Sequence, residues 1–253
     1  MNAQISKILR SAQVYFPSMQ EYRFHVQRNV RNLLNKTHEE DFEALPLLPK
    51  TSNALFLDIG ANRGAAIQSI LMRRPDAKIV GFEPNWYLLA KAKNPYAHDS
   101  RVVIHNVGLG NAQGSCQLYI PFYNNYMFDG LASLKEKNAR DWLPTRIYGF
   151  RNEKLKIKKV LVEVKKLDDF NLKPYFIKID VQGFEYEVLQ GARMTIQESK
   201  PILLIETPGQ KEISFLAALG YEPFTYKRSR FVKGTGGLNV FFLSEETRKA
   251  VFL

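Results

Sequence analysis

The chain is poor in the residues that would tie it to an oxidising compartment or to a structural metal. Its 253 residues include a single cysteine, Cys116, which excludes an internal disulfide framework and a cysteine-based zinc site. Cys116 falls in the alternating stretch Ser115-Cys116-Gln117-Leu118-Tyr119-Ile120, where it reads as a small core residue, and a reducing, cytoplasmic setting fits. No apolar run approaches the roughly 18 residues needed to cross a bilayer. The N-terminal Met-Asn-Ala-Gln-Ile-Ser-Lys lacks the apolar core of a signal peptide, so none is expected. No His/Asp/Glu cluster has metal-ligand spacing, and no metal is expected. Acids are also scarce, 25 against 36 Lys and Arg, for a net charge of +11. That balance fits an acidic partner, whether nucleic acid, a phosphorylated or acidic-sugar substrate or an anionic membrane surface. It equally fits a basic surface that keeps the protein soluble, and the spread of Lys and Arg along the chain favours this second reading.

What is present is an ordinary soluble composition, 45% hydrophobic and 24% charged, long enough for one α/β domain with some decoration. Residues 4–35 carry apolar positions at helical spacing (Ile5, Ile8, Leu9, Ala12), and Pro17 divides them into two helices. In the second, Tyr22, Val26, Val30, Leu33 and Leu34 fit either a cap on the core or a face for a second copy of the chain. Leu45-Pro46-Leu47-Leu48-Pro49 then marks a connection, so residues 1–50 read as a helical extension and 51–253 as the main domain.

Strands and helices alternate from there: strand Ala54–Asp58, helix Ala65–Arg73, strand Lys78–Glu83, a helix from Trp86 to Lys93 capped by Asn85, and strand Val102–Asn106. Strands Ser115–Ile120 and Val160–Leu167 follow, then strand Tyr175–Asp180, helix Phe184–Glu198, strand Pro201–Glu206 and helix Glu212–Leu219 closed by Gly220. Tyr221–Tyr226 and Leu238–Leu243 pair at the end. Val/Ile/Leu-rich strands between helices predict a mostly parallel sheet covered on both faces, with an antiparallel C-terminal edge strand.

In such sheets ligands sit at the carboxyl ends of the strands. The polar residues there are Asp58, Glu83, Asn106, Asp180 and Glu206, and four acids on one edge are hard to explain one by one as turn residues. After Asp58 the chain enters the turn Gly60-Ala61-Asn62-Arg63-Gly64 and then a helix. The turn lacks the G-x-G-x-x-G of a dinucleotide site. An acid just before it suits a ligand with a cationic amino group, whose carboxylate would meet the turn's N–H groups. Glu83, closing the second strand, is placed to accept both hydroxyls of a ribose. S-adenosylmethionine carries all of these groups.

The segments Leu57–Gly64, Gly81–Pro84, His105–Gly110, Leu167–Asp169 and Ile177–Gly191 together resemble the FkbM family of S-adenosylmethionine-dependent methyltransferases over roughly residues 54–243. The most specific segment usually reads D-V-E-G-x-E. Asp180, Gly183 and Glu185 match it, whereas Gln182 stands in the third place, so no role of that carboxylate carries over. The resemblance implies a class I, Rossmann-like methyltransferase fold and O-methylation of a hydroxyl on a sugar, glycan or secondary metabolite. It places Asp58, Gly60, Ala61, Asn62 and Gly64 around the methionine part of the cofactor. It puts Glu83 and Pro84 at the ribose, Asn106 and Val107 at the adenine edge, and Asp180 between cofactor and acceptor.

An alcohol acceptor loses a proton as it is methylated, so a positioned base is expected. Asp180 is the first choice, with Glu206 and His105 behind it. Residues 121–153 have no clean periodicity. Phe122, Tyr123, Tyr126 and Phe128 could stack on a sugar or flat ring, with Lys135, Lys137, Arg140, Arg146 and Arg151 meeting an anion, or the segment could simply pack on its own aromatics. Two other readings stand beside the small-molecule or glycan enzyme. One is a nucleic-acid methyltransferase, disfavoured because no N/D-P-P-Y/F-type motif or separate RNA-binding module is visible. The other is a non-catalytic module that binds a partner through its N-terminal helices.

Overall fold

The computed structural model describes residues 3–90 and 94–252. Helices α1 (Ala3–Gln13) and α2 (Gln20–Leu33) are separated at Pro17, as the proline predicts. A 3₁₀ segment, Glu40–Leu47, buries Phe42, Ala44 and Leu45. The main unit begins with β1 (Leu55–Ile59), α3 (Ala65–Arg73), β2 (Lys78–Phe82), α4 (Trp86–Leu89) and β3 (Val102–His105). Helix α4 ends after one turn, and the rest of the predicted helix, residues 91–93, lies outside the described residues. Next come β4 (Gly108–Leu109), β5 (Gly114–Tyr123), β6 (Tyr126–Met127), α5 (Glu136–Asp141), β7 (Leu155–Lys165) and β8 (Phe176–Ile179). Helices α6 (Glu185–Gly191) and α7 (Arg193–Ser199) lead to β9 (Ile202–Glu206) and α8 (Gln210–Ala218). Strands β10 (Tyr221–Lys227), β11 (Arg230–Lys233) and β12 (Asn239–Ser244), and helix α9 (Glu245–Phe252), complete the chain.

Eight strands form one sheet in the order β11-β10-β12-β9-β8-β1-β2-β3. The five from β3 to β9 run parallel, and β12, β10 and β11 are antiparallel to their neighbours. The antiparallel end is therefore three strands deep, with β12 inside it and β11 at the margin. Side chains alternate between two cores. Phe56, Ile79, Phe176 and Leu204 face α3 and the 3₁₀ segment, whereas Leu57, Ile177, Leu203, Val188 and Leu216 pack on the α6–α8 side. This two-sided burial is why the parallel strands read as unbroken apolar runs.

Three expectations change in detail. Strands β5 and β7 leave the main sheet and pair with each other along ten residues, forming a four-stranded sheet in the order β4-β7-β5-β6. The predicted helix 184–198 is two helices broken at Ala192. Gly191 is the last residue of α6, and a Cβ there would strike the carbonyl oxygen of Gly110, so it is glycine for a close backbone crossing. On α2 the apolar stripe points outward: Tyr22, Val30, Leu33 and Leu34 are exposed, so the stripe does not cap the core.

Residues 121–153 also resolve. The Asn124-Asn125 turn, with φ of 50° and 64°, closes the β5–β6 hairpin, the sign required by hairpin turns that match strand twist. Tyr123, Tyr126 and Phe128 are buried with Val14, Leu143 and Ile147. Packing, not ring stacking on a ligand, is what these aromatics do. No helix among the described residues is long and apolar enough to cross a membrane.

Candidate active site

The carboxyl ends of β1, β2 and β8 open into two connected chambers. One lies over Glu83, Pro84 and Val107 and is closed by Phe184 and the 129–134 segment. The other is a cleft of about 650 Å³ between the glycine turn and helix α2. Gly60, Asn62, Asp129, Gly130 and Asp180 line both, so Asp180 stands where the chambers meet.

The glycine turn is built differently from what its sequence suggests. Gly60 and Gly64 have φ of +86° and +73°, and a Cβ at either would strike protein: the Asp180 carbonyl at 1.9 Å and the Tyr96 ring at 2.4 Å. Glycine is needed here for the left-handed backbone and for packing. Four of the turn's five N–H groups are also spoken for. Gly60 and Ala61 donate to the Phe82 carbonyl (2.9 and 3.0 Å), Gly64 to Ala61 (2.8 Å), and Asn62 to the Glu83 carboxylate (2.7 Å).

Glu83 accepts a second hydrogen bond from the Asn85 N–H at 2.7 Å. Burial pushes its carboxyl up to about 7 despite these two donors. Asn106 donates its side-chain amide to the carbonyls of Glu83 and Pro84, tying the ends of β2 and β3 together, and it lines neither chamber. His105 is likewise outside both, stacked on Phe82 at 5.4 Å and tilted against Phe170. Val107 and Pro84 do reach the chamber above Glu83. Of the three predicted proton-transfer residues, the structure thus gathers Asp180 and Glu206 and leaves His105 apart.

Lys178 is the residue that sequence reasoning missed. Its position in the run Phe176-Ile177-Lys178-Ile179 is 4% exposed, and parallel pairing sets it directly beside Asp58. Its ammonium lies 3.1 Å from Asp180 and 3.9 Å from Asp58. The available signal was a lysine inside a strand buried on both faces, a place where an unpaired charge is not tolerated. Asp58 itself is fully buried and lines neither chamber; neither carboxylate oxygen has a hydrogen-bond partner, and burial raises its pKa against the pull of Lys178. Asp58 therefore meets the site through Lys178, not as a direct wall of it.

Beyond Asp180 the backbone takes left-handed values at Gln182 and Gly183 (φ 54° and 92°). Glu185 fixes this turn by accepting from the N–H groups of Val181 and Gly183, and Ser133 and Asn138 donate to the Gln182 carbonyl. The Gln182 amide donates to both Asp180 (2.8 Å) and Glu206 (2.9 Å), so the glutamine in the family's glutamate position bridges two carboxylates without adding a third. Burial opposes charge at Asp180, yet the Lys178 ammonium and hydrogen bonds from Glu206 and Gln182 hold its carboxyl down at about 2. Burial, with Asp180 beside it, pushes Glu206 up to about 8. Glu206 carries the proton of this pair at neutral pH, and Asp180 carries the charge.

The parallel sheet in this order defines a doubly wound, Rossmann-like fold, and its chambers open at the carboxyl ends of β1 and β8, where the strand order reverses. The sequence matches the family model described as the methyltransferase FkbM domain over residues 58–223, and the chain belongs to that family. No protein of curated function matches it significantly. Among solved structures, it is similar to the methyltransferase FkbM from Methylobacillus flagellatus KT, with 18% identity and a TM-score of 0.49. That match covers 81% of this chain and 48% of the other, so the chain spans about half the length of that protein. A precorrin-6y C5,15-methyltransferase from Geobacter metallireducens GS-15 shares 13% identity, with 81% and 89% of the two chains covered and a TM-score of 0.39. A SAM-dependent O-methyltransferase from Thermotoga maritima shares 11%, covering 84% and 68%, with a TM-score of 0.36.

Proposed function

We propose that the protein is an S-adenosylmethionine-dependent methyltransferase acting on a hydroxyl of a sugar, glycan or secondary metabolite. The observation that carries this reading is the position of Asp180, charged and fixed, at the junction of the two chambers. The residues present suit the cofactor. Glu83 uses one acceptor site per oxygen on backbone N–H groups, and a carboxylate has about four, so acceptor sites remain for ribose hydroxyls. Val107, Pro84 and Phe184 offer apolar walls for a flat base beside it.

When bound, S-adenosylmethionine supplies a methyl group on a sulfonium, open to in-line attack by an oxygen. The protein's part is to hold the acceptor oxygen on that line and exclude water. Asp180 would accept the hydrogen bond of the acceptor hydroxyl and take up the proton that this hydroxyl gives up on methylation. Lys178 keeps Asp180 ionised beforehand, Gln182 fixes its Oδ1, and Glu206 hydrogen-bonds to the same carboxylate.

The test is calorimetric and kinetic. S-adenosylhomocysteine binds the wild-type protein, and Asp180→Asn lowers kcat by about 10²–10⁴ while changing that affinity less than about threefold. Absence of S-adenosylhomocysteine binding overturns the reading, and unchanged turnover in D180N removes Asp180 as the base.

A further inference from the structure

The cleft beside the glycine turn has a wall of its own. Helix α2 lies along it, held near its start by Arg63, whose guanidinium bonds both oxygens of Glu21 (2.7 and 3.0 Å) and lies 4.1 Å from the Phe24 ring centre. Further along, Gln68 of α3, only 4% exposed, donates to the Arg28 carbonyl at 2.8 Å and to the Asn32 side chain at 2.6 Å. The same amide accepts from Arg31 Nε at 3.0 Å. A buried glutamine thus docks the helix and aims one of its arginines.

The cations of the cleft divide into two kinds. Arg63 is neutralised by Glu21 and Asp129, and Lys178 by Asp58 and Asp180. Arg28 and Arg31 also line the cleft, one turn apart on α2. Arg28 donates to His25 Nδ1 at 3.2 Å and Arg31 to Gln68, and among the described residues neither forms an ion pair with a carboxylate. Burial and the neighbouring Arg28 pull Arg31 below the ordinary arginine value. Two like charges held together in a partly buried wall cost free energy unless an anion sits against them. In the turn opposite, the N–H groups of Gly60, Ala61, Asn62 and Gly64 are bonded within the protein and do not supply that anion contact.

We propose that Arg28 and Arg31 form an oxyanion seat that takes the carboxylate or phosphate of a ligand lying between α2 and the glycine turn. A planar guanidinium pair suits either group, each able to accept two parallel N–H bonds. Two sources supply that chemistry, and naming them rests on the methyltransferase reading: the amino-acid carboxylate of the methyl donor, or an anionic group on the acceptor.

Calorimetric titrations at low salt separate them. Wild type and R28Q/R31Q are titrated with S-adenosylhomocysteine, with 5′-methylthioadenosine, which lacks the amino-acid tail, and with inorganic phosphate in the presence and absence of S-adenosylhomocysteine. The seat predicts a loss of about tenfold or more for at least one anion-bearing ligand, no more than twofold for 5′-methylthioadenosine, and partial recovery in R28K/R31K, which keeps the charge but not the planar fork. Loss on S-adenosylhomocysteine assigns the donor carboxylate, and loss confined to phosphate assigns the acceptor. No loss on either ligand overturns the seat, and so does a loss of which R28K/R31K recovers nothing. If the wild type binds neither adenosine compound, the methyltransferase reading fails while the phosphate titration still decides the seat.

Discussion

Glu83 and Asp180 close neighbouring parts of one sheet edge, and their carboxyls are shifted in opposite directions, Glu83 up and Asp180 down. Glu83 is held by two backbone N–H groups at 2.7 Å each, and burial still pushes it up to about 7. Asp180 has an ammonium at 3.1 Å and two side-chain hydrogen bonds, and it is held down at about 2. The difference teaches what burial demands of an acid. Neutral dipoles offset part of the desolvation of a carboxylate, whereas a full opposite charge in contact reverses it. One edge thereby offers a carboxyl poised to respond to a ligand and another fixed as an anion.

Removing the ammonium breaks the comparison most directly. Lys178→Met leaves the buried Asp58 and the half-buried Asp180 without a counter-charge, and breaking a buried pair from one side costs about 3–5 kcal/mol. Urea unfolding at pH 7 measures it. The Asp180 pKa then moves up toward that of Glu83, and the double variant K178M/D58N recovers a large part of the stability because the pair is removed together. A K178M protein within about 1 kcal/mol of wild type would show that something other than Lys178 holds Asp180 ionised.

The Glu83 side is sharpened by a smaller effect. Ribose hydroxyls donating to Glu83 favour its charged form, so binding at pH 7 drives a proton off. S-adenosylhomocysteine titrations in buffers of different ionisation enthalpy then report release of up to about half a proton. In Glu83→Gln the release disappears and stability drops by about 1–3 kcal/mol, since the amide nitrogen faces one of the two N–H groups and leaves it unsatisfied. Undiminished proton release in E83Q assigns the proton to another group.

This contrast could not be read from the sequence, although its location could. The parallel strands announced themselves because runs such as Leu203-Leu204-Ile205 are buried on both faces, and the acids ending them marked the site edge. Period-two alternation likewise identified β5 and β7, but alternation says nothing about partners, so their departure into a second sheet was invisible. Lys178 was hidden for a related reason. One lysine in an apolar run reads as a surface residue until register sets it beside Asp58. The face that α2 turns toward the cleft was also unreadable, because its most regular apolar stripe is the one left exposed, and its polar face does the docking through Gln68 and Arg63.

The gentlest probe is Glu206→Gln. Glu206, near 8, and Glu83, near 7, both lie above the ordinary glutamate value of 4.5. Between about pH 4.5 and 8 the folded protein holds protons that the unfolded chain has released. Their contribution is fully present below pH 4.5 and is lost as pH rises through 7 and 8. Asp180 acts in the other direction and elsewhere, its share disappearing only as pH falls from about 3.8 to about 2. The wild-type Tm therefore declines from pH 5 to pH 9, and E206Q, whose amide can still donate to Asp180, flattens that decline to roughly half because Glu83 continues to titrate. Adding E83Q removes most of what remains. A decline of unchanged slope in E206Q places the titrating proton away from the Asp180–Glu206 pair, and the two strand ends would then differ in charge for a reason other than the ammonium between β1 and β8.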